Sequence, residues 1–312
     1  MTAKDTGPNA GGIGTTKTAA PVGGAAGRRS VRFPLGAAWG HLIGQHWVWL
    51  MVGAWLVETL GFGVVLQHAL YASFAKSETA DPAVVESMRA GLLPEGIADF
   101  AAGALPFWGA AMSLAIGALA VGGEYRSGTV RLLYTAGPSR GVVLAAQLAA
   151  LAGVLGVMAL LTLLVDWAGL VAAAGLAGWP VVAPPLGATA VSLLCLWLTA
   201  LTYGLVGAGL AVLTRSAMTA LGAGLIWTLG AETVLILVAG AVPWLKVPAH
   251  ALLGAATSDL AVARGSYPWW PNRFSETVDA AGGWPAADVL AAWAALAVAV
   301  ALWAVGRRDM EA

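Results

Sequence analysis

Six blocks of apolar residues, at about 42–67, 103–122, 141–176, 187–213, 218–242 and 286–306, constrain this chain more than any motif in it. A hydrocarbon core of about 30 Å is crossed by about 20 apolar helical residues. Each block reaches that length with at most one charge inside it. Only helices and closed barrels satisfy their own backbone in lipid, and apolar runs this long, without alternation, belong to helices. The pattern predicts an all-α, polytopic membrane protein with six transmembrane helices over residues 31–312, solvated by the lipid bilayer. Composition agrees: 10% of the 312 residues are charged, against about 25% in soluble domains.

Residues 1–30 hold Gly7-Pro8, Gly11-Gly12 and Gly23-Gly24 with few large apolar side chains. Too little surface can be buried there to offset ordering entropy, so a disordered tail is expected. Residues 33–41 then form a short interfacial approach to the first span. No cleavable signal peptide is expected, because apolar character begins only near Leu42. The third block is too long for one perpendicular helix, and either tilts or breaks near Asp166-Trp167. Trp47, Trp179, Trp244, Trp284 and Trp303 fall near span ends, as interfacial belts require.

Orientation follows from the cations. An even number of crossings puts both termini on one side. That side receives Lys4, Lys17, Arg28, Arg29, Arg32, Arg126, Arg131, Arg140, Arg215, Arg307 and Arg308. The other receives Lys76, Arg89, Lys246, Arg264 and Arg273. The positive-inside rule places both termini in the cytoplasm. The 68–102 loop, with Glu78, Asp81, Glu86, Glu95 and Asp99, then lies outside. A second outer loop, 243–285, is expected to hold a short helix around Pro248–Arg264, in which Ala251, Leu252, Ala255, Asp259 and Val262 form a partly apolar face.

The most informative segment is the loop between the second and third spans. On a helix, Tyr125, Thr129, Leu132 and Leu133 share one face, while Glu124, Ser127 and Arg131 share another; Gly137-Pro138 ends the run. Such a short amphipathic helix suits either the membrane interface or a groove in a partner protein.

Glu124, then Gly128-Thr129, Leu132-Leu133 and Pro138-Ser139-Arg140 resemble a run in the permease subunits of type 2 ABC exporters. There it follows the second span and forms the coupling helix, seated in a cleft of the ATPase subunit. The order and spacing match over seventeen residues in the same topological slot. Thr214-Arg215-Ser216, opening the fifth span, and the Arg307-Arg308-Asp309 end extend the likeness more weakly. Gln147 departs from it, standing where many relatives carry a lysine. The resemblance implies ATPase-coupling roles for Glu124, Tyr125, Gly128, Thr129, Arg131, Leu132, Leu133, Pro138, Ser139 and Arg140. It also implies a non-catalytic export subunit of the inner (plasma) membrane, partnered by a separate ATPase and by a second permease, identical or different. ATP and magnesium would belong to that ATPase, with no cofactor bound directly by this chain.

Three acids lie inside spans: Glu58, Asp166 and Glu232. A mid-membrane carboxylate costs roughly 2.5–3.5 kcal/mol on insertion scales, so such residues face a bundle interior or an aqueous cavity. They are pathway candidates, and equally fit a packing role in which they stay protonated or bond to Ser and Thr on neighbouring helices. An ion-coupled secondary transporter using these acids is the alternative function. Small-residue pairs such as Gly204 with Gly207, and Gly222 with Gly224, suit close helix packing.

Several functions are disfavoured. No Gly-Lys dipeptide occurs, so there is no phosphate-binding P-loop, and no His-Glu-x-x-His metal motif is present. His41, His46, His68 and His250 fall near span ends or in a loop. Cys195, the one cysteine, sits within an apolar block and reads as a core residue. With 16 basic and 16 acidic residues, no cationic footprint for nucleic acid exists.

The topology is checked by cysteine-accessibility labelling. Positions beside Arg131 and Arg307 are expected to react only from the cytoplasm, and positions beside Glu86 and Arg273 only from outside. Outside labelling near Arg131 reverses the orientation.

Overall fold

The computed structural model describes residues 32–104, 109–127, 139–265 and 283–307. Every regular element among them is helical. In chain order they are α1 (Arg32–Ile43), α2 (His46–Phe74), α3 (Pro82–Gly91), α4 (Ile97–Ala104), α5 (Ala110–Ser127) and α6 (Arg140–Ala177). There follow α7 (Leu186–Thr214), α8 (Ala217–Ala241), α9 (Pro243–Ala249), α10 (Leu253–Ala263) and α11 (Gly283–Arg307).

Five of these, α2, α6, α7, α8 and α11, are long and apolar enough to cross a membrane. Of the second expected span, 103–122, residues 105–108 lie outside the described residues. Helix α4 ends at Ala104, α5 begins at Ala110, and the apolar part of α5 stops at Tyr125. The first span also starts later than expected. Leu42 and Ile43 close α1, and extended backbone at Gln45 (φ −85°, ψ 127°) separates it from α2. The third block, by contrast, is one unbroken helix of 38 residues. At about 1.5 Å per residue it is much longer than the hydrocarbon core is thick. It ends where Gly178 turns left-handed (φ +70°), a conformation that a Cβ penalises.

Helix α7 lies at the centre, with α4, α5, α6, α8 and α11 around it. Its approach to α5 is backbone on backbone. A Cβ on Gly117 would stand 1.8 Å from the Gly204 carbonyl oxygen, and one on Gly207 would stand 2.2 Å from that of Leu114. Gly224 of α8 receives the Leu114 side chain in the same way, whereas Gly222 meets nothing within 4 Å. Of the small-residue pairs read in the sequence, three members pack and one is idle. On the other flank of α6, the Trp39 ring of α1 covers Gly153. The outer faces of α2, α8 and α11 present Trp49, Leu50, Val57, Val234, Leu237 and Trp303, the surface a lipid solvent calls for.

The stretch expected as a bare outer loop carries α3 and α4, and α4 buries Ile97, Ala98, Ala101 and Ala102. The helix expected around Pro248–Arg264 is present as α10, with α9 before it. It does not lie on the surface: Leu253 through Ala261 are all buried.

Gly117→Ala is expected to destabilise the purified protein by about 1–3 kcal/mol or more, the usual cost of overpacking. Gly222→Ala is expected to change nothing. Thermal unfolding of the two variants in one detergent makes the comparison.

Candidate functional site

Of the residues assigned to ATPase coupling, Glu124, Tyr125, Ser139 and Arg140 are described. Gly128, Thr129, Arg131, Leu132, Leu133 and Pro138 lie outside the described residues, and with them the expected amphipathic helix. The flanks are well defined. Glu124, on the last turns of α5, is only 6% exposed. It accepts a hydrogen bond from the Gln147 side-chain amide of α6. His41 Nε2 of α1 stands 3.7 Å from the other carboxylate oxygen, and Gln45 Nε2 lies 2.9 Å from the same histidine nitrogen. Tyr125 packs half-buried against the main apolar core. Ser139 precedes α6 in extended backbone (φ −62°, ψ 144°), and its carbonyl accepts from the Val143 amide.

Sequence reasoning missed His41 and Gln147. The signal for Gln147 was visible as the departure from lysine: an amide there still donates to Glu124. Nothing in the sequence pairs His41 with a residue 83 positions away.

The three intramembrane acids do not form one site. Glu58 and Asp166 stand on α2 and α6, two helices that pack together along the turn that follows Glu58. Around them, Trp55 Nε1 donates to Thr162 Oγ1 (2.6 Å), which donates in turn to the Met158 carbonyl. Thr59 is buried beside them. From Thr59 to Val65 α2 is π-helical, and this turn meets α6 closely: the Gly63 Cβ position is 3.1 Å from Asp166 Oδ1, and Val64 fills the space beside Gly169.

Glu232 is elsewhere. It follows a second π-helical turn, Ile226–Ala231, and is 1% exposed. One carboxylate oxygen accepts the backbone amide of Gly254 at 2.7 Å. That amide belongs to the first turn of α10, where unpaired N–H groups and the helix dipole favour an anion. Glu232 therefore caps α10 from another helix, a role that requires no pathway. The rest of α10 is fixed by similar contacts. Its Asp259 meets His250 Nδ1 at 3.0 Å. Beyond its end, Arg264 donates to Ser192 Oγ and to the Ala188 carbonyl of α7, and Trp293 of α11 donates to the Ala251 carbonyl.

No protein-family model matches the chain, and no curated protein matches it significantly in sequence.

Removing the cap strands a buried amide, which costs about 1–3 kcal/mol. Glu232→Ala is expected to speed hydrogen exchange at Leu253 and Gly254, while Glu232→Gln, which keeps an acceptor oxygen, retains most of the protection. Exchange of that peptide, followed by mass spectrometry, distinguishes the two.

Proposed function

We propose that this chain is the membrane-spanning permease subunit of a type 2 ABC exporter. It acts with a second permease, and a separate ATPase carries ATP and magnesium. The residues 124–140 join two bundle helices and dock on that ATPase from the cytoplasm, with both termini on the same side of the plasma membrane. The observation that carries this reading is the clamp at the root of the segment. Glu124, its first residue, is buried against Gln147 and His41, so α5, α6 and α1 are tied together where the segment leaves and rejoins the bundle. A docked segment rooted in this way moves three helices as one body.

In this reading the contact combines an apolar face (Tyr125, Leu132, Leu133) with polar anchoring by Arg131, while Glu124 holds the root of the segment inside the bundle. Residues that fill a desolvated groove cost about 2 kcal/mol or more on truncation, and about 1.4 kcal/mol is a factor of ten. Leu132→Ala with Leu133→Ala is expected to lower ATPase co-purification more than tenfold at unchanged permease abundance. Arg131→Glu is expected to weaken it in a salt-dependent way. Full retention in the double-alanine variant sinks the assignment.

A further inference from the structure

The second half of α11 carries an apolar stripe that ends in a cation. Leu296, Ala299, Trp303 and Arg307 follow one another at spacings of three and four residues, the repeat of one helix face, and all four are exposed. Leu296 is 52% and Trp303 56% exposed, so the stripe continues the surface that α11 presents to lipid. At its end the Arg307 guanidinium lies over the Trp303 ring, 5.1 Å from the ring centre.

A second arginine belongs to this end of the bundle. Helices α7 and α11 run side by side in one direction: the Thr202 hydroxyl donates to the Leu290 carbonyl at 3.2 Å, and the Gly209 Cβ position is 3.3 Å from the Ala297 carbonyl. The register is the same in both pairs, and continued along the helices it sets Trp303 level with Arg215. Arg215 is exposed and closes α7 in left-handed backbone (φ 55°), where helices usually place glycine. Among the described residues no carboxylate forms an ion pair with Arg215 or Arg307. Glu124, the acid at this end, is buried and takes the Gln147 amide.

A guanidinium set over an aromatic ring uses its flat face and leaves its N–H edge available. That edge matches phosphate oxygens two at a time. The dipoles at the C-terminal ends of α7 and α11 favour a cation, but they require no indole beneath it. The apolar stripe identifies the source of the phosphate. From Arg307 back to Leu296 the helix covers about 16 Å, close to the roughly 15 Å of hydrocarbon in one leaflet. A phospholipid fills both parts of the face, its headgroup at Arg307 and an acyl chain along the stripe, whereas free phosphate leaves the stripe uncovered.

We propose that Arg307, stacked on Trp303, binds the headgroup phosphate of an anionic phospholipid whose acyl chain lies along Ala299 and Leu296. Arg215, at the same level of the bundle, adds a second positive charge and so favours a headgroup of net negative charge over a zwitterionic one. Trp303 serves twice, holding the guanidinium in place and covering the start of the acyl chain with an amphipathic ring of the kind found at headgroup level. The site does not rest on the ATPase-coupled reading, because lipid retention is measured on this chain without an ATPase.

The test is native mass spectrometry of the full chain, released from detergent micelles titrated with phosphatidylglycerol or with phosphatidylcholine. Wild type is expected to retain phosphatidylglycerol in preference. Arg307→Gln is expected to lower that apparent affinity about tenfold, the scale of one lost charge-assisted contact, and to leave phosphatidylcholine adducts unchanged. Trp303→Leu, which keeps apolar surface but removes the ring, is expected to lower it about threefold. Arg89→Gln, at the opposite end where Glu86 already pairs with Arg89, is expected to match wild type, and excess inorganic phosphate is expected to displace no lipid. The proposal is overturned if Arg307→Gln or Trp303→Leu retains phosphatidylglycerol as wild type does. It is equally overturned if Arg89→Gln loses as much as Arg307→Gln, the mark of diffuse charge attraction, or if inorganic phosphate empties the site.

Discussion

The bundle depends on the place where α5 and α7 lie backbone to backbone. In lipid, helices are not driven together by the hydrophobic effect, because the surrounding tails are as apolar as the side chains. Dispersion has to do the work, and it falls away over fractions of an ångström. Gly117, Gly204 and Gly207 remove the side chains that would hold the two axes apart. Once α5 is seated on α7, Leu114 reaches Gly224 of α8 and the Leu155 side chain of α6 closes over Gly204. On the opposite face of α7, Gly209 admits the backbone of α11 at Ala297. Most long helices are therefore positioned relative to one contact, and the polar groups meet only because that contact sets the spacing.

Two departures from regular helix matter next. Each of two π-helical turns adjoins a carboxylate: Glu58 precedes Thr59–Val65, and Glu232 follows Ile226–Ala231. A π turn accommodates an extra residue, which turns the following helix by about 100° relative to a regular continuation. For α8 the consequence is direct. The residues of the turn itself, Ile226–Ala231, are all at least partly exposed, while Glu232 directly after it is buried against the first turn of α10. For α2 the extra residue lies between Trp55, which bonds α6 at Thr162, and Val64, which packs on Gly169 of the same helix. Both ends of the turn thus stay in register with α6 while the acid between them keeps partial exposure.

How far the sequence revealed this structure follows from what each feature depends on. Long apolar blocks depend only on local composition, and four of the five long helices were readable within a few residues. The first was displaced because Gly44-Gln45, an interruption too short to alter hydropathy, separates α1 from α2. Burial of α10 was not legible, since Thr257, Ser258 and Asp259 look like a solvated loop. His250 meets Asp259, while Glu232 and Trp293 hold the start of the helix at Gly254 and Ala251, partners brought by three other parts of the chain. The acids were found by depth alone, and depth does not separate Asp166, whose oxygens have no hydrogen-bond partner, from the capping Glu232. Those are tertiary facts, set by which helices touch.

The length of α6 connects the two polar clusters. It carries Gln147, which holds Glu124, and Asp166, which lies against Gly63 of α2, separated by about 28 Å along its axis. No proline lies between them, and the helix is unbroken. Its glycines in that interval do not act as hinges, because Gly153 is filled by the Trp39 ring and Gly156 lies against Trp197. A displacement of the Glu124 end is therefore transmitted as a rotation or translation of a whole rod, not absorbed by bending. At the other end the rod meets the π turn of α2, where regular hydrogen bonding is already interrupted and the backbone yields most readily. Under the proposed function, force applied by a docked ATPase reaches the bundle interior at the Gly63–Asp166 and Val64–Gly169 contacts. Those contacts lie inside the bundle, so a rotation of the rod changes the surroundings of Asp166.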